Sequence, residues 1–275
     1  MSDKKQPLKG KVIQMSKAIE KKEETLPEEL FDGLEGYGAD FTSDEVTLPF
    51  IRMVQKMSPY LVEGDGNYIE SSKAGQLVHT VNAKAYDTLT IIPLRFEHLK
   101  IQWRMRESGG GLINVFTPSD PELPATHKVE NQNVVTDDPT SVIEDTLQYI
   151  CQVFAPDGED LGMSIVSCSK SQLKYARRWN VQLQSKKITL SSGRVIRAPL
   201  FSHSYTLSTI QESTQKNGMT QSWHSFKFGE GTLLTDQDML QGCIALAKQV
   251  NDVKFAKAVD APVVEVESST EDFQM

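Results

Sequence analysis

The chain of 275 residues carries 29 Lys and Arg against 37 Asp and Glu, a net charge of -8, so a surface with its charge spread evenly would repel polyanions. Its three cysteines, Cys151, Cys168 and Cys243, have no C-x-x-C spacing and cannot pair off evenly. This argues against a disulfide scaffold or a zinc ribbon and for a reducing compartment. No apolar segment follows the N-terminal lysines and no run approaches the roughly 20 apolar residues that span a bilayer, so the expectation is a soluble, cytoplasmic protein with no membrane partner.

Residues 1–45 are rich in Lys and Glu, then in Glu, Asp and Gly, with no steady apolar period. Burial there cannot offset the entropy of ordering, and a disordered N-terminal tail is expected. The folded domain is expected over residues 46–257, beginning with Thr47-Leu48-Pro49-Phe50-Ile51. Short β-like runs around Tyr68-Ile69 and Leu77–Val81 lead to the longest β run, Tyr86–Arg106. Apolar residues there sit at even positions in Ile92, Leu94 and Phe96, and at odd ones in Leu99, Ile101, Trp103 and Met105. Strand side chains alternate faces, so the change of phase calls for a bulge near Glu97-His98, a device that curves a strand round a small barrel. Beyond it His98, Lys100, Gln102, Arg104 and Arg106 make one face a cationic ribbon; the alternative is an ordinary solvated outer face.

Ser108-Gly109-Gly110-Gly111 is a flexible break, lacking the order of a phosphate loop. From Leu112 to Gly162 there are ten acids and one lysine, with Pro118, Pro121, Pro124 and Pro139. An acidic insertion over 112–146 is therefore expected as a surface excursion, away from any DNA. Gln148–Phe154, the turn Pro156-Asp157-Gly158 and Met163–Cys168 read as a β-hairpin.

Between Met163 and Phe228 the charge reverses: ten Lys and Arg face one acid, Glu212, a local +9. Ser169 can cap a helix to about Leu183. Lys170, Lys174, Arg177 and Arg178 then share one face, and Leu173, Ala176, Trp179, Asn180 and Leu183 the other. Trp179 is assigned to the core. Lys186-Lys187, a Ser192-Gly193 turn, Arg194 and Arg197 form a short basic hairpin or loop. Phe201–Ile210 and Gln221–Phe228 read as strands joined around Asn217-Gly218, with the core face undecided between the alternating sets. Thr235-Asp236-Gln237-Asp238 resembles a capping box, opening a helix with Leu240, Cys243, Ile244, Ala247 and Val250 on one side. Residues 258–275 form an acidic tail whose Glu267, Glu271, Asp272 and Phe273 can dock on a basic partner or compete with phosphate in cis; a solubilising terminus is the plainer reading.

Basic groups interleaved with aromatics are what a single-stranded nucleic-acid groove requires, because cations neutralise phosphate and rings stack on unpaired bases. Phosphate contacts are expected at Lys100, Arg104, Arg106, Lys170, Lys174, Arg177, Arg178, Arg194 and Arg197, with stacking on some of Tyr175, Tyr205, Trp223 and Phe226. The competing reading makes the rings core and the cations solvated surface.

From about Val46 onward, and in the tail Glu265–Phe273, the layout resembles the phage-type single-stranded DNA-binding proteins. That resemblance implies a β-rich α+β domain, an OB-like (oligonucleotide-binding) small β-barrel with a basic amphipathic helix and a C-terminal helix. It also implies a sequence-tolerant binder of single-stranded DNA in replication or recombination, working in the host cytoplasm and recruiting polymerase or helicase through its tail. Gln274-Met275 beyond the terminal aromatic, the acidic insertion and the long N-terminal tail depart from that pattern. A homo-oligomer is left open, and no cofactor or metal is called for. A virion or host-takeover component without enzymatic activity is the second reading. Catalysis is not expected, since His79, His98, His127, His203 and His224 lack metal-site spacing and the basic region offers only Glu212 as a carboxylate.

Overall fold

The structure, a computed structural model, describes residues 48–216 and 218–252. The expected N-terminal and C-terminal tails, with Glu267, Glu271, Asp272 and Phe273, lie outside the described residues. In chain order the strands are β1 (Ile51–Met53), β2 (Leu77–His79), β3 (Lys84–Tyr86), β4 (Leu89–Arg104), β5 (Leu112–Phe116), β6 (Thr126–Val129), β7 (Gln132–Val135), β8 (Ser141–Phe154) and β9 (Asp160–Ser169). Helix α1 (Leu173–Ser185) follows, then β10 (Lys187–Thr189), β11 (Val195–Arg197), β12 (His203–Lys216), β13 (Met219–Phe228), β14 (Thr232–Leu233) and α2 (Gln237–Asp252).

Strands β4 and β8 pair antiparallel over nearly their whole length, from Thr90↔Phe154 to Arg104↔Ser141. Each takes two further strands in succession on its outer edge. β4 pairs with β12 at Leu89–Ile91 and with β5 at Lys100–Trp103; β8 pairs with β7 at Val142 and Ile143 and with β9 from Thr146 to Phe154. The result is a nine-stranded sheet running β13-β12-β4-β8-β7-β6, with β5, β9 and β14 off that path. Among the described residues the fold is thus β-rich with two α-helices, and no sheet closes into a barrel.

The change of phase in β4 is real, but its register shift falls between Pro93 and Arg95, not at Glu97-His98. Proline has no N–H to give the ladder, and a bulge is where a strand interior tolerates one. Ile92 and Leu94 therefore face one side of the sheet, while Phe96 turns to the other, its ring 5.2 Å from that of Tyr149.

Both sides of the sheet's centre are covered, which is why β8 reads as unbroken apolar sequence rather than as an alternation. One face packs Ile91, Leu147, Tyr149, Cys151, Val153, Cys168 and Leu207 against Ala176, Trp179 and Leu183 of α1. The other packs Ile92, Leu94, Ile150 and Ile165 against Cys243, Ala247 and Val250 of α2. Asp236 Oδ1 accepts the Met239 backbone N–H at 3.0 Å and so caps α2. At the far end, Arg95 donates to the Val250 carbonyl at 2.7 Å, a cation at the helix C-terminus where the dipole favours it.

The acidic insertion is an excursion only in part: residues 117–133 lie at the surface, but its two ends are built into the sheet. Residues 112–146 supply β5, β6, β7 and the start of β8, and Phe116, Val135 and Ile143 form a small buried cluster of their own. Its strands are short and separated by prolines, so the acid count masked their pairing. The β8–β9 hairpin turns at Gly158, φ +90°, as the Pro156-Asp157-Gly158 signal requires.

Candidate nucleic-acid interface

The basic helix is built as its spacing dictates. Ser169 makes no side-chain cap; instead the 3-10 turn Lys170–Gln172 leads into α1, with Lys170 in the left-handed region at φ 49°. Ala176, Trp179 and Leu183 are buried, whereas Lys174, Arg177 and Arg178 are exposed. Asn180 accepts a hydrogen bond from the buried Tyr149 hydroxyl at 2.7 Å, fixing the helix on the sheet. The Trp179 ring stacks on Phe228 at 4.1 Å and meets the edge of Tyr205 at 5.4 Å.

Immediately after α1, β10 and β11 form a separate two-stranded ribbon. Lys187 stands directly opposite Arg197, and Arg194 lies beside the turn at Gly193. Like charges facing one another across a ladder are destabilising, and an isolated two-stranded ribbon is marginal to begin with. Its Val195 is 57% exposed.

The nine expected phosphate contacts divide by residue type. All three lysines already have acids: Lys100 pairs with Asp145 at 2.7 Å, Lys170 with Glu144 at 3.2 Å, and Lys174 with Glu212. Among the described residues, Arg104, Arg106, Arg177, Arg178, Arg194 and Arg197 are exposed and form no ion pair. Two of the neutralising acids come from the end of the acidic insertion, which β8 carries into the sheet beside the cations. The expected separation of charge along the chain is thus partly undone in space. Burial opposes the ionisation of Asp145, but hydrogen bonds from Lys100 and His98 outweigh it and hold the carboxyl below its ordinary value. Burial likewise opposes ionisation of Glu212, and hydrogen bonds from Lys174, Ser225 and Tyr175 overcome it. The Lys174 ammonium is raised, chiefly by its hydrogen bond to Glu212. The cationic ribbon therefore survives only in Arg104, the last residue of β4, and in Arg106 of the 3-10 turn that follows, because Gln102 is buried against Ser141 and His98 and Lys100 share Asp145.

The stacking candidates divide as well. Tyr205 and Phe226 are each 2% exposed and belong to the core under α1, so neither presents a ring to a base. The reason is geometric: His203, Tyr205 and Leu207 fall on the face of β12 that α1 covers. Burial pushes the Tyr205 hydroxyl up to about 12. Gly231 permits this packing, since a Cβ there would lie 2.6 Å from the Tyr205 ring. Tyr175 and Trp223 are half-buried. The Lys174 ammonium lies 4.9 Å over the Tyr175 ring, and Trp223 stands directly opposite Glu212 in the β12–β13 ladder.

Trp103, Thr146 and Gln172 were not singled out by sequence, yet they line a cavity of about 370 Å³ with Arg104, Arg106 and Lys170. Their positions are 103, 146 and 172, and only β-pairing brings them together. Among the described residues no group of three or more His, Cys, Asp or Glu could hold a metal, and no helix is long and apolar enough to cross a membrane.

Residues 20–255 match the family model described as Pam3 phage gp34-like protein. No curated protein and no solved structure matches the chain.

Proposed function

The chain belongs to the Pam3 phage gp34-like family, and from that premise we propose that it is a phage protein that binds single-stranded DNA with little regard to sequence, in replication or recombination. The observation that carries the reading is the set of six exposed arginines that form no ion pair among the described residues, spread over the end of β4 and the turn after it, helix α1 and the ribbon that follows it. Arginine that has no internal partner is available to phosphate, and its planar fork suits that anion. The repulsion between Lys187 and Arg197 is relieved when a phosphate lies between them. Tyr175 and Trp223 supply the stacking surface, and each stacked base contributes about 1 to 3 kcal/mol with little dependence on identity.

An OB-like character of the sheet belongs to the same proposal. A bulged β4 and two long strands that change neighbours part-way are devices by which a sheet coils towards a barrel. The acidic tail, with Glu267, Glu271, Asp272 and Phe273, is proposed to recruit polymerase or helicase. We assign the protein to the host cytoplasm and give it a binding role without catalysis.

A gel-shift series with single-stranded DNA, duplex DNA and RNA across salt tests this. The expected result is a shift of oligo-dT at low salt, lost steeply as salt rises. A folded protein that leaves oligo-dT unshifted overturns the proposal, and co-purification in particles would then favour a virion component.

A further inference from the structure

We propose that the cavity between the end of β4 and the turn before α1 takes one nucleotide whose base carries an exocyclic amine, the phosphate lying on the rim and the base inside. This deepens the single-strand reading by adding a preference at one base position to contacts that are otherwise indifferent to sequence, and rests on it for one of two sources of the ligand, a residue of a bound strand or a free nucleotide.

At about 370 Å³ the cavity has the size of a site for one small ligand. Its lining includes Trp103, Thr146 and Gln172, the cations Arg104, Arg106 and Lys170, and the acids Glu107 and Glu144. Thr146 is 2% exposed, and its hydroxyl oxygen has no hydrogen-bond partner. The side-chain oxygen of Gln172 is likewise buried and unpartnered. Buried polar atoms are nearly always satisfied, so two in one wall call for a missing partner. Both residues line the cavity, so a ligand there lies next to the side chains that carry these oxygens. The Gln172 oxygen can only accept, and the hydroxyl can accept as well, so the matching group is a donor.

Cations on the rim and acceptors inside specify a ligand that is anionic at one end and rich in N–H at the other. Among the described residues Arg104 and Arg106 form no ion pair, although the Arg104 charge acts on Asp138, and Lys170 shares Glu144. Trp103, half-buried, offers a flat apolar surface beside them. A nucleotide of cytosine, adenine or guanine meets all three demands: phosphate, planar ring and amine. Thymine offers a single N–H between two carbonyls, which would face the two oxygens. An acidic peptide would satisfy the rim and, through its backbone N–H groups, the acceptors, but its Asp and Glu side chains bring no planar ring to Trp103. The left-handed backbone at Lys170, φ 49°, is a strained conformation for a non-glycine residue and belongs to the lining of the site.

The test uses the full chain and its Thr146→Val/Gln172→Met variant, with Gln172→Met alone as the second variant should the pair fail to fold. Binding is measured for oligo-dC, oligo-dT, an abasic strand of equal length, and dCMP. The expected result is that oligo-dC binds about tenfold tighter than oligo-dT, the cost of leaving a buried acceptor unpaired, and that the variant abolishes this difference while retaining salt-dependent binding. dCMP that binds the wild type, weakens in the variant and competes with oligo-dC identifies the free nucleotide as a ligand; no dCMP binding alongside the strand preference identifies the strand. Strands that bind without regard to base, or a preference unchanged in the variant, overturn the cavity proposal and leave the single-strand reading standing. If no strand binds but dCMP does so through these residues, the single-strand reading fails and the cavity proposal stands; if nothing binds, both fail.

Discussion

Replacing Arg177 and Arg178 together by glutamine separates the arginines from the lysines as phosphate ligands. Both side chains lie on the exposed face of α1, opposite Ala176, Trp179 and Leu183, so their loss leaves the packing of the helix intact. Each phosphate neutralised on a single strand contributes roughly -0.7 to the slope of log affinity against log salt. Six unpaired arginines therefore give a slope of about -4, and a fourfold rise in salt weakens binding about 300-fold. Without Arg177 and Arg178, four remain; the slope falls to about -3 and the same rise in salt costs about 50-fold. The control is Lys100→Gln with Asp145→Asn, which removes a pair that is already neutral within itself and leaves the slope unchanged. Filter binding of oligo-dT at a series of salt concentrations reads both. An arginine variant with the wild-type slope, or a control that flattens it equally, would refute the division between free and paired cations.

Glu212→Gln frees Lys174 from its acid, and binding to oligo-dT should tighten at low salt with a slope steeper by about 0.7; unchanged filter binding means that Lys174 does not face the strand. Trp179→Ala removes the ring that stacks on Phe228 and seats α1, at a cost of about 3 to 5 kcal/mol in urea unfolding. A loss below about 1 kcal/mol would contradict its place in the core. Burial holds His79 below the ordinary imidazole value; the Asn82 backbone N–H donates to its Nδ1 at 3.2 Å, which leaves Nε2–H to donate to Ser164 Oγ at 3.1 Å. Because its folded value lies below its unfolded one, its stabilising effect is complete above about pH 6.5 and declines as pH falls below that, by up to about 1.4 kcal/mol per unit. Urea midpoints that stay constant from about pH 7.5 to about pH 5.5, or a decline that persists unaltered in His79→Gln, would exclude this residue as the cause.

Local regularities were legible in the chain itself. The 3.6-residue period placed Ala176, Trp179 and Leu183 inside and the basic residues outside on α1, and did the same for Cys243, Ala247 and Val250 on α2. Pro156-Asp157-Gly158 marked the hairpin, and the phase change in β4 announced a bulge, though not that Pro93 would host it. These are properties of neighbours along the backbone, fixed by side-chain geometry over a few residues. Pairing between distant strands was decided only by the tertiary structure. It set Asp145 beside Lys100 and Glu144 beside Lys170, cancelling charges that lie far apart in sequence, and it turned Tyr205 and Phe226 inward. It also assembled the cavity from residues 103, 146 and 172. A strand can present either face to a core with the same alternation of residues, so which rings are sealed and which cations remain free depends on what packs against the sheet. In this protein that was settled when α1 took one face and α2 the other.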